Sequence, residues 1–176
     1  MRKIVALSIA IFIILTLLVG CDNSSAGPAP EVGNKVGNTL QSITLEKIGG
    51  GTVSPDDYRG KIVILNIWAT WCPPCKAELP DFDKIASKYA DNLVIIAAHS
   101  ISGQDKAAEY VENNFPDSKI IFAYDTMYSD AFIAAGAGDY VPRTAIVDQN
   151  GVIIYSNYGI LTYEELVEII EGRLQK

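Results

Sequence analysis

Cys72-Pro73-Pro74-Cys75 is the part of this 176-residue chain whose residue types and spacing point most directly to chemistry. Two cysteines this close enclose too small a loop to restrain the unfolded chain much, so a structural staple explains the spacing poorly. A redox pair explains it better, with zinc ligation as the competing reading of a bare C-x-x-C. The pair follows an apolar run at 61–67, and Leu79, Phe82, Ala86 and Tyr89 then recur at helical spacing. A strand feeding a helix places Cys72 among unpaired first-turn N–H groups. Their positive partial charge stabilises a thiolate and lowers its pKa from about 8.5 to between roughly 3.5 and 7.5. Cys72 is the expected nucleophile, and Cys75, one turn deeper on nearly the same side, the expected resolving thiol. The two prolines are tolerated because first-turn N–H groups have no partner within the helix to lose.

The third cysteine, Cys21, needs a different explanation. Arg2 and Lys3 precede an apolar stretch at 4–19 that is interrupted only by Ser8 and Thr16. This is the pattern of an export signal, shorter than the roughly 20 residues of a spanning helix. It ends in Leu18-Val19-Gly20-Cys21, which resembles the lipobox of bacterial lipoproteins; the resemblance implies acylation of Cys21 and cleavage before it, against the plainer reading of an uncleaved anchor. The expected organisation is a signal peptide at 1–20, a lipidated flexible tether rich in Ser, Gly, Pro and Asn at 21–38, and one domain at 39–176. Without Arg2 and Lys3, 12 basic residues face 21 acidic ones, which argues against nucleic acid as a partner.

Within the domain, short β-type runs alternate with helical ones. Residues 40–48 read as a half-buried strand turned by Gly49-Gly50-Gly51. Ser54-Pro55-Asp56-Asp57 has the form of a helix start, and 93–98 and 120–124 read as further strands. Ser102-Gly103-Gln104-Asp105 looks like a capping box for a helix burying Ala107, Ala108, Val111 and Phe115. Asp125 is a candidate cap for a short helix carrying Phe132 and Ile133. The Asn150-Gly151 turn joins two strands as a hairpin, and Thr162-Tyr163-Glu164-Glu165 caps a last helix that buries Leu166, Val167 and Ile170. This order predicts an α/β fold, a mixed sheet with helices on both faces.

The stretch Ile67-Trp68-Ala69-Thr70-Trp71-Cys72-Pro73-Pro74-Cys75-Lys76, with Glu78 and Pro80, resembles the membrane-anchored thioredoxin-like reductases of the ResA and TlpA type. The likeness extends over about 36–174 and takes in Val141-Pro142 and the turn at 148–151. It implies a thioredoxin-like fold with an added N-terminal β-hairpin, no metal and no organic cofactor. It also implies a cis peptide before Pro142 that leaves the Val141 backbone free to pair with substrate, where the residues alone favour an ordinary trans proline. Trp71 and Pro73 join Val141 and Pro142 as expected substrate-binding residues, with Trp71 an apolar shield beside Cys72 and Trp68 a packing residue. Pro80 is expected inside the helix, against the alternative of termination at Leu79.

Asn66 stands where cytoplasmic thioredoxins carry a buried acid, so Glu78, matching an acid of the ResA-like members, becomes the expected proton acceptor; its plain alternative is a solvated helix carboxylate. Tyr140 and Arg143 depart from the family pattern, and His99, the only histidine, reads as structural. The implied activity is extracytoplasmic dithiol-disulfide exchange on exported proteins, apocytochrome c among them, with a membrane electron donor of the CcdA or DsbD kind. The rivals are a DsbA-like oxidant and a copper or zinc metallochaperone using the same cysteines.

Overall fold

A computed structural model describes residues 29–136 and 140–174. Cys21 and the expected signal segment lie outside the described residues. Nine strands are described: β1 (Val32–Gly33), β2 (Thr39–Leu40), β3 (Leu45–Lys47), β4 (Thr52–Val53), β5 (Ile62–Trp68), β6 (Leu93–His99), β7 (Ile121–Tyr124), β8 (Arg143–Val147) and β9 (Ile153–Tyr158). The helices are α1 (Pro73–Lys88), α2 (Ala107–Asn114), α3 (Asp130–Ala134) and α4 (Tyr163–Leu174). Seven strands form one sheet in the order β4-β3-β7-β6-β5-β8-β9. β5, β6 and β7 run parallel, while β3, β8 and their hairpin partners β4 and β9 are antiparallel to their neighbours. The fold is thioredoxin-like, with the β3–β4 hairpin extending one edge and β1–β2 forming a small separate parallel pair.

β5 is central because every one of its residues is buried, as a strand covered on both faces requires. Its alternation sorts the two cores. Ile62, Ile64 and Trp68 pack with Leu79, Phe82 and Ile85 of α1 and Leu166 and Ile170 of α4. Val63, Leu65 and Ile67 pack on the other face with Leu45, Ala131, Ala134 and Ile153. Each such aliphatic side chain contributes about 1.5–3 kcal/mol when buried. Asn66 has the parity of the first set and so lies on the α1 face, in an otherwise apolar strand.

Several local expectations need correction. The strand read at 40–48 is broken between β2 and β3: Ile43 and Leu45 keep their alternating burial, but Leu40 pairs with β1, and the main sheet is joined only from Leu45 on, through Leu45 and Glu46 on β4 and Glu46 and Lys47 on β7. Ser102 does not cap a helix; Gly103, at φ 80°, leads into a 3-10 turn at Gln104–Lys106, and α2 starts without a side-chain cap. Ala108 is exposed rather than buried. Asp125 does serve α3, from five residues away, its carboxylate accepting the N–H groups of Ala131 and Phe132 at 2.8 and 3.2 Å.

Residues of the expected tether that are described lie against the domain. The Gly37 N–H donates to the Ile153 carbonyl, Thr39 pairs with Val152, and the Thr39 N–H donates to Glu31. The chain therefore enters beside the β8–β9 turn, level with the start of β5 and at the opposite pole from Cys72.

Candidate active site

The β5–α1 junction builds the site. After Trp68 the chain makes a tight turn closed by Cys72 N–H donating to the Ala69 carbonyl at 3.1 Å. Cys72 is the N-cap of α1, in extended conformation, and its sulfur accepts the Cys75 N–H at 3.2 Å. That donor faces the sulfur on which a thiolate would form. Cys72 and Cys75 are joined as a disulfide with Cα atoms 5.3 Å apart. Both are buried, Cys75 completely, while Pro73 and Pro74 are exposed. α1 continues through Pro80 to Lys88, so helix termination at Leu79 is excluded.

Glu78 corrects the solvated alternative. It is 1% exposed. One carboxylate oxygen accepts from Asn66 Nδ2 at 2.9 Å and the other from the Leu161 N–H at 3.2 Å. Burial pushes its pKa up to about 7, opposed by those two hydrogen bonds, each of which favours the ionised form. Asn66 in turn donates to Thr144 Oγ1 at 3.1 Å, and its own Oδ1 has no hydrogen-bond partner among the described residues. Nothing in the sequence pattern assigns a function to Asn66, Thr144 or the Leu161 N–H. The parity of Asn66 on β5 is the signal that could have found the first, since it puts a polar group beneath the helix carrying Glu78.

The expected substrate-binding residues converge on the same pole. Val141-Pro142 is a cis peptide bond, Pro142 is buried, and Arg143 pairs with Ile67 on β5, so Pro142 lies beside the end of the strand that delivers Cys72. Among the described residues no backbone hydrogen bond engages Val141. Trp71 is 56% exposed, and its ring nitrogen donates to the Ser102 carbonyl at 2.8 Å. Arg143 is turned toward α3: its guanidinium donates to the carbonyls of Ala135 and Gly136 at the end of that helix. Trp68 is fully buried among the α1-side aromatics, as expected of a packing residue.

His99 lies on the other side of the junction, as the register partner of Trp68 on β6. It is fully buried. Nε2 accepts the Thr70 N–H at 2.9 Å and Nδ1 lies 2.7 Å from the Ser100 carbonyl, which assigns the proton to Nδ1. Burial pushes its pKa down, with the Ser100 carbonyl and Asp105 pulling the other way.

Comparison with known proteins agrees with this geometry. The Redoxin family model matches residues 35–170. The thioredoxin-like protein YneN of Bacillus subtilis (strain 168) is 32% identical over 146 residues, covering 80% of this chain and 82% of that protein. The thiol-disulfide oxidoreductase ResA of Geobacillus thermodenitrificans (strain NG80-2) is 31% identical over 141 residues, covering 78% and 77%. Among solved structures, a DsbF homologue from Corynebacterium diphtheriae superposes with a TM-score of 0.68 at 23% identity, covering 84% of this chain and 96% of that one.

Proposed function

The chain belongs to the Redoxin family and is a thiol-disulfide oxidoreductase, and from that premise we propose that it works as a reductant of exported proteins, anchored through lipidated Cys21 on the extracytoplasmic side of a membrane. The observation that carries the site assignment is the buried Glu78 carboxylate, one turn beyond Cys75 and held by Asn66 and Leu161.

In the proposed cycle the Cys72 thiolate attacks one sulfur of a substrate disulfide, and the other substrate sulfur leaves as a thiolate. Cys75 then passes its proton to Glu78, directly or through one water, and attacks the Cys72 sulfur. The bond between Cys72 and substrate breaks, the substrate leaves reduced, and the Cys72–Cys75 disulfide holds the oxidation. A membrane dithiol of the CcdA or DsbD kind returns two electrons. Trp71, Pro73 and the Val141-Pro142 backbone would line the path of the incoming chain, with apocytochrome c a substrate class suited to this chemistry.

Reduction potential decides the direction of transfer. Equilibration of the Cys72–Cys75 pair in a glutathione series should give a value below roughly −200 mV; a value near −120 mV would make the chain an oxidant of the DsbA kind instead. The anchor is tested separately. Cys21→Ala should release the protein from the membrane fraction or leave it unprocessed, and an unchanged mass and fractionation would remove lipidation from the reading.

A further inference from the structure

The cycle above gives Glu78 a task but none to His99, the chain's only histidine, buried on the opposite side of the junction. Between β5 and α1 the chain has to place Cys72 with only Ala69, Thr70 and Trp71 in between. The Cys72 N–H to Ala69 carbonyl bond closes this turn, which leaves the Thr70 N–H pointing inward with His99 Nε2 as its acceptor at 2.9 Å. The same stretch after β6 also holds the outer side of the turn: Trp71 donates to the Ser102 carbonyl, and a Cβ at Gly103 would come within 3.2 Å of the Trp71 ring. Gln104 pins that stretch by donating to the His99 and Asp125 carbonyls at 3.2 and 2.8 Å.

We infer that His99 is a positioning residue for the attacking thiol: as a neutral imidazole it fixes the Ala69–Cys72 turn through the Thr70 N–H, and on protonation it releases that turn. An imidazolium carries a hydrogen on Nε2, so two donors would face each other across 2.9 Å and the turn must shift. The surroundings leave little to offset this. On β7, Tyr124 is the register partner of His99, and the Asp125 carboxylate is already engaged by Thr126, Ala131 and Phe132. Asp105, beside Lys106 in the 3-10 turn, favours the imidazolium but is outweighed by burial. β5 presents Trp68, the turn after it presents the Thr70 hydroxyl, whose oxygen 3.3 Å from Nε2 is the acceptor that side offers an imidazolium, and α2 presents Tyr110 across the Trp68 ring.

The inference rests on Cys72 being the attacking thiol, and the experiment separates the two. Reduced wild type, His99→Gln and His99→Phe are alkylated with iodoacetamide from pH 5 to 9, with the labelled cysteine identified by mass spectrometry. Gln keeps an acceptor that does not titrate. His99→Gln should react at Cys72 within about twofold of wild type at pH 7.5 and follow a single thiolate titration, whereas wild type should fall increasingly below that curve toward pH 5. His99→Phe should be about tenfold slower at Cys72 throughout, in keeping with the cost of a small misplacement of a reacting group. Superimposable profiles for all three would overturn the positioning role. Label on Cys75 would refute the thiol assignment and the inference with it. If His99→Phe does not fold, the ring nitrogen shifts of wild-type His99 decide: a neutral Nδ1–H tautomer at pH 7 supports the inference, and an Nε2–H tautomer or an imidazolium overturns it.

Discussion

Glu78 and His99 lie on the same face of the sheet, on either side of the strand–helix junction that carries the disulfide. One is reached through Asn66 and Thr144 toward β8, the other through Trp68 toward β6 and β7. Both have lost their water, and in both the neutral form gains. The acid is pushed up and the base pushed down. Their hydrogen bonds differ in kind. Glu78 receives two donors that suit a carboxylate, so its charge is resisted by burial but accommodated by its partners, and the group is able to take up and give back a proton near neutrality. His99 takes the Thr70 N–H on Nε2 and faces the Ser100 carbonyl with Nδ1, a pair that suits a neutral ring, with the Thr70 hydroxyl 3.3 Å from Nε2 beside them. Burial therefore leaves an acid with a raised pKa on the β8 side and a neutral acceptor on the β6 side.

The largest expected effect isolates the β8 side. Cys75→Ala should accumulate mixed disulfides through Cys72 when mixed with a disulfide substrate, while Cys72→Ala traps none; equal trapping on non-reducing gels would undo the division between the two thiols. Next is Glu78→Gln. Attack by Cys72 near neutral pH should change little, but release of the mixed disulfide should slow by about 10 to 100-fold and recover partly at alkaline pH, the usual size of a general-base contribution. Stopped-flow mixing with a model disulfide resolves the two steps. A release rate unchanged from pH 6 to 9 would return Glu78 to packing alone.

Stability gives a smaller contrast with opposite signs. The folded Glu78 pKa of about 7 lies above its ordinary 4.5, so its contribution is fully present below pH 4.5 and is lost as pH rises toward 7. The loss is about 3–4 kcal/mol, taking roughly 1.4 kcal/mol per pH unit between the two values. Guanidinium denaturation of the oxidised protein should show Glu78→Gln gaining on wild type between pH 5 and pH 8; a constant difference would contradict the buried-acid account. For His99 the folded value is lowered, so its contribution is present above 6.5 and lost as pH falls below it. His99→Gln should flatten the acid limb of the wild-type curve, and an identical limb in both proteins would break the symmetry drawn here.

The β8 side was partly legible in the sequence and the β6 side hardly at all. The spacing of Glu78 from Cys75 put it on the right turn of α1, but a helix carboxylate is ordinarily solvated. What buries it comes from far along the chain, the Leu161 N–H and the β8 strand carrying Thr144. His99 acts through a register match with Trp68, and register between parallel strands is not written in either strand alone. β5, α1 and the 148–151 hairpin were readable because an apolar run, a helical period and an Asn-Gly turn each suffice locally. The capping box at Ser102 misled for the same local reason: the pattern is present, but Gly103 turns the chain out of the way and Ser102 lends its carbonyl to Trp71 instead.

The entry of the chain at the pole opposite Cys72 sets a mechanical condition on any anchor. β5 spans about 20 Å at some 3.3 Å per residue, and the nine residues from 21 to 29 reach at most about 30 Å. Held by its foot, the domain would stand with the disulfide as its head, facing partners that approach from outside. To meet a dithiol within the bilayer, a domain so held would have to bow.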